Sequence, residues 1–147
     1  MTFATNKKAL HNFLIEEKIE AGIQLQGTEV KSIRKGNIQL SDSYVMIKDG
    51  QAYLYNAHIS PFDFGNRFNH DPTRPRKLLL HSHEILELGM KIQKERINVI
   101  PLRFYAKKRT IKVELGLGKS KKKHDKRESI KEKEVKRDMD RATKKYK

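Results

Sequence analysis

The sequence predicts a mainly β fold: a small antiparallel barrel with two or three short helices, followed by a basic C-terminal tail. Three observations predict it. Short stretches alternate apolar with polar residues, most cleanly Ile111, Val113, Leu115 and Leu117 against Lys112, Glu114 and Gly116. Asp49-Gly50 stands between two such stretches and suits the left-handed backbone of a tight hairpin turn. The composition then changes at about Gly118, beyond which there is no Gly and no Pro. Half-apolar strands bury one face most readily when the sheet curls on itself. An open sheet is the second possibility.

The elements follow in order. Over Phe13–Leu25, the odd positions from Ile19 alternate with Glu20, Gly22 and Gln24, which is strand periodicity. Gly27 ends that run. Thr28 is expected to cap a two-turn helix, with Glu29 in its first turn, Lys35 near its end and Gly36 as the stop. Ser43–Lys48 and Gln51–Asn56 form the hairpin around Asp49-Gly50. Residues 61–76 hold three of the four prolines and read as a long loop. Leu78–His81 leads into a helix capped at about Ser82, with Ile85, Leu88 and Ile92 on one face. Gly89 in its middle marks close packing. Ile97–Tyr105 and Thr110–Leu117 make a second hairpin.

The 147 residues and 17.2 kDa suit one domain. Residues 1–118 form the body and residues 119–147 the tail. The body carries 19 basic and 12 acidic side chains, and the tail 14 and 6. Within the tail, Glu132 precedes Lys136 and Asp140 precedes Lys144 by four residues, the favourable order for a helix. Val135, Met139, Ala142 and Tyr146 recur at helical spacing, a stripe too thin to hold a free helix. The tail is therefore expected to be disordered alone and helical once phosphates neutralise it.

The formal net charge of +15 and the pI near 10.0 point to a polyanionic partner, since neutralised phosphates release counterions. A membrane surface fits poorly: there is no Trp, and the most basic stretch has few large apolar residues. The longest apolar runs, such as Phe13–Ile15 and Leu78–Leu80, are too short for a membrane span. With no Cys, disulfides and thiolate metal sites are excluded, which fits a reducing cytoplasm.

Signals for chemistry are sparse. His81 and His83 lie two apart, but no third ligand stands at a metal-binding spacing. On a regular strand Glu16 and Glu20 share a face and Glu17 opposes them, too little for a cation-dependent nuclease. No phosphate-cradling loop, nucleophile elbow or Cys nucleophile is present. The expectation is no catalytic residue, no cofactor and no metal. Basic residues instead gather at Lys7 and Lys8, at Lys31, Arg34 and Lys35, at Arg74, Arg76 and Lys77, and at Lys107, Lys108 and Arg109. Tyr53 and Tyr55 are two apart, short of an aromatic RNA-reading motif.

An ordered set of strings spans nearly the whole chain. It includes Asn6-Lys7-Lys8-Ala9, Glu20-Ala21-Gly22, Gly27-Thr28-Glu29-Val30-Lys31-Ser32 and Ser41-Asp42-Ser43-Tyr44. It continues through Ala57-His58-Ile59-Ser60-Pro61, Asn69-His70-Asp71-Pro72, Arg76-Lys77-Leu78-Leu79-Leu80 and His124-Asp125-Lys126-Arg127. In these strings the sequence resembles the SsrA-binding protein (small protein B) family, bacterial partners of transfer-messenger RNA. The resemblance implies a barrel of oligonucleotide-binding type. It implies a non-enzymatic, cytoplasmic adaptor, expected to be a monomer, whose body holds the tRNA-like domain of transfer-messenger RNA. The tail then enters the decoding site and empty mRNA channel of a stalled ribosome.

By matched position the resemblance places Glu20, Leu79 and His81 at the tRNA-like domain. The basic body residues Lys7, Lys8, Arg74, Arg76 and Lys77 join them as expected RNA contacts. It places His124, Asp125, Lys126 and Arg127 at the decoding site, with Lys121 and Lys122 counted in the same tail. Ile130, Lys131, Lys136, Arg137 and Met139 fall in the channel segment. Three departures stand out: Ser120-Lys121-Lys122-Lys123-His124 replaces a Gly-Lys-Lys-Leu-Tyr pattern, Gln39 replaces Asn, and Lys108-Arg109 replaces Asn-Gly. The alternative function is a structural ribosomal protein with a basic extension.

Overall fold

The computed structural model describes residues 1–62 and 69–121. Among these residues lie nine strands and three helices: β1 (Thr2–Thr5), α1 (Lys7–Asn12), β2 (Phe13–Ile23), α2 (Gly27–Arg34), β3 (Ile38–Gln39), β4 (Tyr44–Lys48), β5 (Gln51–Tyr55), β6 (His58–Ile59), β7 (Arg76–Leu79), α3 (Ser82–Lys94), β8 (Asn98–Lys107) and β9 (Thr110–Ser120). Seven strands form one antiparallel sheet in the order β1-β8-β9-β2-β7-β5-β4, and β3 pairs with β6. The sheet curls until β4 lies against β8. No ladder joins β1 to β4 among the described residues, so this barrel is closed by packing.

Alternation builds the core. Val45, Ala52, Leu54, Leu78, Ala21, Val113, Leu115 and Phe104 point inward and are buried. The helix α3 adds Leu88 to this cluster. A second, small cluster forms where α1 covers the opposite face, with Ala9 against Ile100 and Leu102. Two bulges make that second cluster possible. The ladders shift between Ile15 and Glu17 in β2 and between Pro101 and Arg103 in β8. Each bulge re-aims the side chains beyond it. Gly118 is required at this crossing, because a Cβ there would lie 2.2 Å from the backbone oxygen of Leu14.

The Asp49-Gly50 hairpin forms as expected, with φ of 51° and 74° at its two turn residues. Other elements differ from expectation. β1 and α1 precede β2, and Lys7 and Lys8 are therefore helical. The α1 cap is Asn6, buried, whose Oδ1 accepts from the Ala9 N–H at 3.1 Å. Its Nδ2 donates to the carbonyls of Leu40 at 3.1 Å and Pro101 at 3.0 Å, tying the seam of the barrel. The cap of α2 is Gln26, not Thr28: the Glu29 carboxylate accepts from the Gln26 N–H at 2.8 Å. The cap of α3 is His81, one residue before Ser82, with Glu84 accepting its N–H at 2.9 Å. At the other end of the body, β9 continues past Gly118 to Ser120, and the Lys121 N–H still bonds Asn12 O at 2.9 Å.

Candidate nucleic-acid interface

Strand register assembles a continuous outer face from distant residues. Leu79 pairs with Gly22, Gly22 with Lys112, and Lys112 with Tyr105, making one row across β7, β2, β9 and β8. Glu20 lies two residues from Gly22 on the same side of β2. Lys77 lies two residues from Leu79 and pairs with Tyr53. Leu79 is 54% exposed on this face. Gly22 gives it room, because a Cβ at that position would come within 3.2 Å of the Leu79 Cβ.

Glu20 is held in place at the centre of this face. The Tyr105 hydroxyl donates to its Oε2, and Lys107 Nζ lies 3.2 Å from its Oε1. The Tyr105 hydrogen bond, then that of Lys107, lowers the Glu20 pKa below the usual carboxylate value. Burial, then the bond to Glu20, raises the Tyr105 hydroxyl to about 12. The pair thus stays as an anionic acceptor and a neutral donor through the physiological range. The adjacent row is Glu20, Glu114 and Arg103: Arg103 lies 3.5 Å from the Glu114 carboxylate, its guanidinium 4.2 Å from the Tyr105 ring centroid. A fixed carboxylate among cations can accept from base amino groups or a 2′-hydroxyl, while the cations hold phosphates.

A basic margin borders the face. Arg34 Nη2 donates to Arg109 O at 3.2 Å, which brings α2 beside the β8–β9 turn. Lys31 and Lys35 lie 5.4 and 5.0 Å from the Phe62 ring centroid. Two clusters separated by some 70 residues in the sequence thus become neighbours. Lys108 makes the turn with φ of 59°, without the Asn-Gly of the usual family pattern.

One expected contact is corrected. Arg76 is wholly buried and cannot reach an RNA on the outer face. Its Nε lies 2.7 Å from Glu29 Oε2, and its Nη1 donates to Ala57 O at 2.6 Å. Arg74 engages the same carboxylate through Nε at 2.9 Å and Nη2 at 2.6 Å. Burial alone would raise the Glu29 pKa, but hydrogen bonds from Arg74, the Gln26 backbone and Arg76 outweigh it and lower the value. The two arginines therefore anchor the 69–76 segment to α2. Arg74 is half-buried in this ion pair, and Lys77 faces outward. His70 is structural too: buried, its Nε2 donates to Ile59 O at 2.8 Å and its Nδ1 accepts the Thr28 hydroxyl at 2.8 Å.

The remaining positions divide further. Lys7 and Lys8 are exposed on α1, with Lys8 Nζ 2.9 Å from Asp42 Oδ1. His81 is exposed at the start of α3, stacked on His83 at 5.6 Å between ring centroids. The two rings run parallel rather than converging on a point. The β2 bulge breaks the parity expected of Glu16 and Glu20, and Glu17 pairs with Lys91 at 2.7 Å. No group of three or more metal-ligating side chains occurs among the described residues. Lys121 ends the described chain. Lys122, His124, Asp125, Lys126, Arg127, Ile130, Lys131, Lys136, Arg137 and Met139 lie outside the described residues. Sequence reading missed Tyr105 and Lys112, whose signal was the β8–β9 register that brings them to Gly22.

The family described as SmpB protein matches residues 3–145 of the chain. The chain belongs to the SmpB family. Among its relatives, the SsrA-binding protein of Staphylococcus carnosus strain TM300 is 53% identical over 143 residues, covering 97% of this chain and 92% of that protein. The SsrA-binding protein of Staphylococcus aureus strain Newman is 54% identical, covering 97% and 93%. A solved structure presented as "tmRNA-SmpB: a journey to the center of the bacterial ribosome" superposes with a TM-score of 0.69 at 43% identity, covering 87% of this chain and 90% of that one. The barrel described above thus shares the fold of that SmpB structure.

Proposed function

We propose that the chain is a non-enzymatic adaptor that binds the tRNA-like domain of transfer-messenger RNA and brings it to stalled ribosomes. The observation that carries this reading is the row Leu79–Gly22–Lys112–Tyr105 with Glu20 fixed beside it. The family's matched positions Glu20 and Leu79, 59 residues apart, meet on one accessible face edged by cations. Relatives named for binding SsrA RNA, and a neighbour named for a transfer-messenger RNA complex on the ribosome, support the same partners. His81 follows Leu79 at the edge of this face and serves as a further contact.

The tail supplies the second half of the activity. Residues 122–147 carry a large share of the charge on a chain with no Gly or Pro in that stretch. A phosphate-walled channel supplies the ordering free energy for such a segment. Lys121, Lys122, His124, Asp125, Lys126 and Arg127 engage the decoding site. Ile130, Lys131, Lys136, Arg137 and Met139 lie along the vacant mRNA channel, so an occupied channel excludes them. The protein works in the cytoplasm as a monomer. No helix among the described residues is long and apolar enough to cross a membrane.

The division of labour is tested by truncation after Lys121, which spares β9. Transfer-messenger RNA binding should persist and peptide tagging on stalled ribosomes should disappear. Loss of RNA binding on truncation would overturn the division. A structural ribosomal protein, in contrast, would stay on every small subunit through a high-salt wash.

A further inference from the structure

We propose that Tyr44, Tyr53 and Tyr55 form a stacking site for an unpaired nucleobase of the partner RNA. The inference rests on the RNA-binding reading above and extends it to a residue cluster outside the matched positions. All three side chains point away from the core, because Val45, Ala52 and Leu54 take the inward positions of the same hairpin. The Tyr44 and Tyr55 rings are stacked, 5.5 Å between centroids and 19° apart. Tyr53 leans against Tyr55 at 6.4 Å and 54°. Tyr44 is 41% exposed, so the stack has an open end toward solvent.

Two features select a base as the occupant. The tyrosine cluster is continuous with the candidate RNA face: Tyr53 pairs with Lys77, two residues from Leu79 on the same side of β7. Lys77 lies at one side and Lys48 at the end of β4, while Asp42, two residues from Tyr44, is ion-paired with Lys8. A planar base adds a further layer to an offset aromatic stack, and the lysines take the phosphates on either side of it. Every base has a π-face, so the site tolerates any unpaired nucleotide of suitable reach. Cross-strand tyrosines also support a hairpin without any ligand. The experiment separates that role from the proposed one.

Full-length protein is titrated with the tRNA-like domain of transfer-messenger RNA at two salt concentrations. The variants are Tyr53→Leu/Tyr55→Leu, Tyr53→Phe/Tyr55→Phe and Lys77→Gln. The leucine pair should weaken binding about tenfold or more at both salts, with the salt slope unchanged, because stacking releases no counterion. The phenylalanine pair should bind like the wild type. Lys77→Gln should flatten the slope by about one counterion. A leucine pair that loses thermal stability yet binds RNA within twofold of wild type would overturn the stacking site.

If the leucine pair fails to fold, the wild type carries the test. Protein labelled with 3-fluorotyrosine gives signals assigned by single Tyr→Phe variants. Those of Tyr44, at the open end, and of Tyr53 and Tyr55 should shift at saturating RNA. Unmoved signals with RNA bound would overturn the stacking site alone. Failure of the wild type to bind the RNA would overturn the RNA-binding reading and the stacking site with it.

Discussion

Two carboxylates show how differently one fold uses the same chemical group. Glu29 is wholly buried, clamped by Arg74, Arg76 and the Gln26 backbone. Glu20 is exposed, clamped by Tyr105 and Lys107. Both have lowered pKa values and both have basic partners. In the first, the arginine hydrogen bonds join two segments of chain and the Gln26 bond caps α2. In the second, the partners fix the carboxylate while leaving it accessible to a ligand. Basic residues near a carboxylate therefore do not by themselves mark an RNA site. The side of the sheet they occupy decides.

The largest expected effect breaks the buried half of this comparison. Glu29→Ala leaves the Arg76 guanidinium buried and unpaired, which costs about 3–5 kcal/mol of stability. Thermal and urea unfolding would measure it; a loss below about 1 kcal/mol would mean that water solvates the arginine. The pH dependence has a definite sign. The folded Glu29 binds a proton more weakly than the unfolded one, whose pKa is about 4.3. Its stabilisation is therefore complete above that value and disappears as pH falls through the lowered folded value. Acid titration of Glu29→Gln should be flatter than that of wild type in this range.

The exposed half responds in binding instead. Glu20→Ala should weaken binding to the tRNA-like domain by roughly tenfold, with little change in melting temperature. Tighter binding would mean that the carboxylate merely repels phosphates. Gly22→Ala sharpens the geometry: the new methyl crowds Leu79, 3.2 Å away, and a few-fold loss of RNA affinity is expected. An unchanged affinity would show that Leu79 tolerates displacement. The smallest effect is at Lys8. Its ion pair with Asp42 is solvent-exposed, so Lys8→Ala should change stability by less than about 1 kcal/mol in unfolding experiments.

Much of this fold was legible because periodicity survives in the sequence. The strand beginning at Thr110, the Asp49-Gly50 turn and α3 all carry local signals strong enough to name them. β1 and α1 did not, because a four-residue strand and a six-residue helix hold too few residues for a period. Bulges were equally invisible, since each inserts a single residue whose effect is seen only against its partner strand. The grouping of Arg74, Arg76 and Lys77 failed for a related reason. Strand parity turns Arg76 inward and Lys77 outward, but the continuous run Leu78–Leu80 hides that parity. Glu20, Leu79 and His81 were found through the family resemblance. That Glu20 and Leu79 share one face, and that Tyr105 holds Glu20, required the register.

The most direct test of the account is a matched pair of titrations on wild-type protein and Glu20→Ala. One RNA is transfer-messenger RNA and the other an ordinary tRNA, each at low and high salt. A specific outer face should give the wild type a preference for transfer-messenger RNA that survives added salt and is lost on substitution at Glu20. Equal affinities that collapse together with salt, or a preference indifferent to Glu20, would contradict it.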